Sequence, residues 1–80
     1  MPVILEYGTG ITRDVSPSSV FVWINGATFK VGDRISFAIL IYRPAGTMRL
    51  LCRGDILRTE KHENMLGVAV RIDDSTLECA

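Results

Sequence analysis

Eighty residues, 48% of them hydrophobic, suffice for one small domain and one compact core. Nine basic and nine acidic residues cancel, so no global positive field draws the chain to nucleic acid or anionic membranes. Apolar runs are short and interrupted by charges, which excludes a spanning helix, and the N-terminus lacks the pattern of a secretory signal; the expected location is the cytoplasm.

Residues Pro2 to Tyr7 alternate as a first strand. Gly8-Thr9-Gly10 marks a bulge or bend, and Ile11 to Val15 resumes the strand. Ser16-Pro17-Ser18-Ser19 has loop composition. Val20 to Ile24 is apolar on both faces, with Val20, Val22 and Ile24 on one and Phe21 and Trp23 on the other. Asn25-Gly26 and Gly32-Asp33 are turns. Ile35 to Tyr42 is the strongest strand, with Ile35, Phe37, Ile39 and Ile41 on one face.

Arg43-Pro44-Ala45-Gly46 connects to a long strand, Thr47 to Thr59, in which Met48, Leu50, Cys52, Gly54 and Ile56 share a face. Gly54 in its middle predicts sharp bending. Glu60 to Asn64 is a polar hairpin tip, and Leu66, Val68, Val70 and Ile72 line one face of a last strand ending at Asp73-Asp74-Ser75. Thr76 to Ala80 is expected to start a short helix, capped by the polar residues before it. Six strands with tight turns and no sustained helical periodicity predict an all-β, six-stranded antiparallel barrel over residues 1–80.

Several groups carry chemistry. Asp14 and Ser16 read first as an Asx or Ser turn that caps the loop backbone, and otherwise as a ligand contact, by a carboxylate on a guanine edge and a hydroxyl on a phosphate or base. Arg13 beside them is a phosphate contact or a solvated strand-end charge. Arg58 is placed to face the same surface and pair with Asp14, while Arg49, Arg53 and Arg71 recur at outward positions as a basic face or as solvated charges. Phe21 and Trp23 either cover part of the core or anchor a protein partner. Cys52 reads as a buried apolar residue and Cys79 as an exposed thiol. His62 lacks the companions of a catalytic triad, two cysteines with one histidine do not make a zinc site, and neither an enzyme nor a bound cofactor is expected.

The loop Asp14-Val15-Ser16-Pro17-Ser18-Ser19 resembles the Asp/Asn-x-Ser-x-x-Gly signature of the PilZ family of bacterial regulatory domains, with Ser19 at the glycine position. Phe29-Lys30-Val31-Gly32-Asp33-Arg34-Ile35-Ser36-Phe37 is similar to the family's Gly-then-strand segment, Gly54-Asp55-Ile56-Leu57-Arg58 to its Gly-x-Val-x-Arg strand, and Gly67 to Ile72 to its closing strand. Order and spacing agree along most of residues 3 to 72. The resemblance implies a six-stranded barrel that takes cyclic di-GMP through Arg13, Asp14, Ser16, Ser19 and Arg58, and passes a signal to a protein partner. The family's upstream Arg-x-x-x-Arg segment does not stand in these 80 residues. With Ser19 for glycine, the expectation is a degenerate or N-terminally truncated member with weak or lost ligand binding. The alternative is a ligand-independent interaction or self-associating barrel using Phe21 and Trp23.

Overall fold

The computed structural model describes residues 1–79, and among them there is strand and turn but no helix. The strands are β1 (Pro2–Leu5), β2 (Gly8–Val15), β3 (Ser19–Asn25), β4 (Arg34–Arg43), β5 (Gly46–His62) and β6 (Met65–Cys79). They close into an antiparallel barrel in the order β1-β2-β3-β6-β5-β4.

Alternation explains the core. Val20, Val22 and Ile24 of β3, Ile35, Phe37 and Ile39 of β4, Cys52 and Ile56 of β5, and Val68 and Val70 of β6 are all buried in one cluster. Members of one strand sit two residues apart, or four for Cys52 and Ile56 with Gly54 between them, the even spacing that sends side chains to one face. The inward set expected from the sequence is therefore the observed one, and Cys52 is buried while Cys79 is exposed. Residues 26–33 cross from β3 to β4 and are pinned to β5 by Gly32 N donating to Ile56 O at 2.8 Å and Ile56 N donating to Asp33 O at 3.0 Å.

Closure needs irregular points. At Gly54 the β5–β6 register slips by one residue, and a side chain there would collide with the Arg71 carbonyl. Two further slips, between Thr12 and Asp14 on β2 and between Ile56 and Arg58 on β5, leave Arg13 and Leu57 as extra residues.

The expected C-terminal helix is not there. Thr76, Leu77, Glu78 and Cys79 belong to β6 and pair with Leu51, Leu50, Arg49 and Met48; Ala80, the rest of that segment, lies outside the described residues. Local capping composition loses to cross-strand pairing, because each described residue of this stretch has a strand partner and Glu78 has the opposite charge of Arg49 across from it. β5 and β6 are consequently much longer than expected, and their turn narrows to Glu63-Asn64, with His62 opposite Met65.

Candidate functional site

The sequence-derived site residues come together on the outside of the barrel, where β2, β3, β6 and β5 lie side by side. Asp14 is opposite Phe21, Phe21 opposite Ala69, and Ala69 opposite Arg58. The two bulges flank this row. One frees Arg13 from the β2 ladder; the other shifts β5 so that Arg58 reaches the row. As a result the Arg13 guanidinium carbon lies 3.7 Å from the centroid of the Phe21 ring, and that of Arg58 lies 5.3 Å from it. Both lie within the range in which a ring quadrupole attracts a cation.

Phe21 is only 4% exposed, yet it is not in the interior cluster. Its cover is external: the Arg13 guanidinium above it and Trp23 edge-on beside it, at 5.3 Å between centroids and 74° between planes. Gly67 on β6 makes the seat, since a Cβ there would stand 2.5 Å from the Phe21 Cζ and 2.9 Å from the Trp23 Cζ3. The row continues to His62, whose ring is 6.2 Å from that of Trp23. Gly67 and Ala69 were not singled out as site residues. Their signal was the small side chains that alternate with Leu66, Val68 and Val70 directly across from a strand carrying two aromatics.

The loop after β2 is closed on itself. Ser16 N donates to Ser19 O at 2.9 Å, Ser16 Oγ donates to the same oxygen at 3.0 Å, and the two hydroxyl oxygens are 2.8 Å apart. Of the two roles open to Ser16, the turn role is the one built. Ser19 begins β3 and has no positive φ, so its Cβ imposes no backbone strain. Asp14 accepts from Arg13 Nε at 2.8 Å with its side chain 71% exposed, which leaves its other oxygen open to solvent. Arg13, Asp14, Ser16, Ser19, Phe21 and Arg58 together line a shallow depression of about 240 Å³.

Arg58 is paired with Glu60, not with Asp14: its Nη1 donates to Glu60 Oε2 at 2.9 Å, and the same oxygen is 3.9 Å from Arg13 Nη1. The Glu60 carboxylate thus sits between the two guanidiniums. Two arginines, Asp14 and Glu60 make this cluster neutral.

Arg34, Arg49, Arg53 and Arg71 do not form a basic face. Arg34 forms a two-pronged pair with Asp73 and donates to Asp55 at 3.1 Å; Arg71 is 3.3 Å from Asp55, Arg53 is 3.8 Å from Asp74, and Arg49 is 2.5 Å from Glu78. Every one has an acid across the sheet. Hydrogen bonding from Arg34 holds the Asp73 carboxyl below the usual carboxylate range. Comparison of the chain with protein-family models, with curated proteins and with solved structures gives no match.

Proposed function

We propose that this chain is a cytoplasmic regulatory domain of the PilZ type in bacterial signalling, and that the outer-face site of Arg13, Asp14, Ser16, Ser19 and Arg58 receives cyclic di-GMP weakly. One observation carries the reading: two bulges bring Arg13 and Arg58 over a single aromatic ring beside the Asp14–Ser19 loop. Guanidinium groups suit this ligand, since each offers several N–H donors to phosphate and a planar face to guanine. The closed antiparallel barrel agrees with the fold that the four motifs imply.

Weakness follows from Glu60. A phosphate that engages both arginines must displace a carboxylate already bonded to Arg58, and only the difference between the two contributes to affinity. The expected dissociation constant is on the order of 10⁻⁴ M. Calorimetric titration with cyclic di-GMP tests this. Heat should appear at high micromolar ligand and vanish in the Arg13→Ala/Arg58→Ala double variant; no heat with the parent chain, or equal heat with both, discards the assignment.

A further inference from the structure

The barrel is closed around its waist but not along its whole length. β3 accompanies β6 from Ile24↔Leu66 to Ser19↔Arg71, with one more bond from Ile72 N to Ser18 O at 2.9 Å. There the chain before β3 turns away through Pro17, while β6 runs on to Cys79 with β5 on its other side. From Asp73 to Cys79 the outer edge of β6 has no strand partner among the described residues. Such an edge is a template for another strand unless something blunts it.

The two faces beside this edge differ in chemistry. Pairing of Arg53 with Asp74, Leu51 with Thr76 and Arg49 with Glu78 puts those β6 residues on the outer face, and pairing of Cys52 with Ser75 and Leu50 with Leu77 puts the alternate ones on the inner face. The inner side opens onto a groove of about 400 Å³ between the loop residues Val15 and Pro17 and the sheet residues Ile39, Leu50, Cys52 and Ile72. Val15, 50% exposed, and Ser75 line it, and Leu77, 54% exposed, follows Ser75 by two residues on the same face of β6. On the outer side Asp74 and Glu78 are two carboxylates on one row. Each is engaged by a single arginine nitrogen, so each keeps accepting capacity.

We propose that the Asp73–Cys79 edge is a strand-addition site for an extended segment of a partner protein in which basic residues alternate with apolar ones. The added strand occupies the position that β3 vacates at Ser18. Its backbone bonds the open edge of β6, its apolar side chains enter the groove beside Leu77 and Val15, and its basic side chains meet Asp74 and Glu78. Backbone pairing supplies affinity and the alternating side chains supply choice of partner. A second copy is disfavoured in the register centred on Thr76. Antiparallel self-pairing about Thr76 brings Asp74 of one copy against Glu78 of the other, a like-charge contact that the sheet disfavours.

The probe is an acetylated, amidated heptapeptide, Lys-Val-Arg-Thr-Lys-Val-Arg, added to the isotopically labelled chain at about 1 mM, well above the weak end of specific binding. Amide exchange should slow about tenfold at alternate residues of the Asp73–Cys79 edge and nowhere else on the barrel. A peptide with Glu for every Lys and Arg should leave exchange unchanged. In the Asp74→Lys/Glu78→Lys double variant the preference should reverse. If that variant does not fold, Leu77→Asp should abolish the protection by spoiling the groove side. No protection with the basic peptide, protection spread evenly over the barrel, an unreversed preference in the folded double variant, or protection that survives Leu77→Asp overturns the proposal.

Discussion

Two sets of outward arginines share this barrel and have opposite fates. On β4, β5 and β6, Arg34, Arg49, Arg53 and Arg71 each face a carboxylate from a neighbouring strand, forming a ladder of opposite charges. On β2 and β5, Arg13 and Arg58 lie on Phe21 and share one carboxylate, Glu60. The first set is satisfied by regular pairing; the second exists only because two bulges break regular pairing. An outward arginine is thus not by itself a binding residue. What distinguishes the second set is a ring beneath it and a single carboxylate, Glu60, placed between its two guanidiniums.

The strongest way to break the comparison is to remove the ring. Phe21→Ala deletes a nearly buried aromatic held by Gly67, Trp23 and Arg13, and should destabilise the fold by about 3 kcal/mol, near the low end for a buried aromatic because the cavity opens outward. Urea denaturation measures this. A loss under about 1 kcal/mol would place Phe21 among ordinary surface residues.

A sharper probe leaves the fold alone. Glu60→Gln keeps the size of the side chain and removes the anion between Arg13 and Arg58. Affinity for cyclic di-GMP should rise about tenfold, equivalent to about 1.4 kcal/mol, as the ligand no longer competes with a charge. Titration of the variant beside the parent measures it. An unchanged or lower affinity would mean that Glu60 is not in the way of the ligand and that weak binding has another cause.

How much of this was legible beforehand divides along the same line. The inward sets Ile35-Phe37-Ile39 and Leu66-Val68-Val70 announce themselves by alternation, and closure of the sheet follows from their number. The bulges do not. Neither Arg13 nor Leu57 is a glycine or lies next to one, and nothing local marks them as extra; barrel curvature places them there. The charge ladder was misjudged for a related reason. Arg53 and Asp74 are 21 positions apart and meet only after the β5–β6 hairpin has its register, so Arg49, Arg53 and Arg71 read as free charges and Thr76 onward as a helix. Arg58 has Glu60 two residues away on the same strand face, a partner closer in sequence than the Asp14 expected for it.

The ladder has its own signature, in pH. Asp73 is held in its charged form chiefly by hydrogen bonds from Arg34, with smaller help from the charges of Arg34, Arg71 and Arg53, against a modest desolvation cost. Its folded-state pKa lies below its unfolded value, so the folded state binds fewer protons there. The resulting stabilisation is complete above the unfolded carboxyl value, about pH 4, and is lost as pH falls through the folded one. Asp73→Asn should therefore be less stable than the parent at neutral pH, and the gap should shrink as pH is lowered from about 4 through the folded-state value, where the parent's own carboxyl becomes protonated. Denaturation curves for the two chains, taken from neutral pH down through the acid range, decide it. The effect is expected to be the smallest of the three, because the pair is exposed to solvent and Arg34 keeps Asp55 as a second partner. A gap that stays constant across this range would mean that Asp73 contributes by its shape and hydrogen bonds rather than by its charge. The ladder would then be register-setting pairing, whereas at Arg13 and Arg58 charge remains the operative quantity.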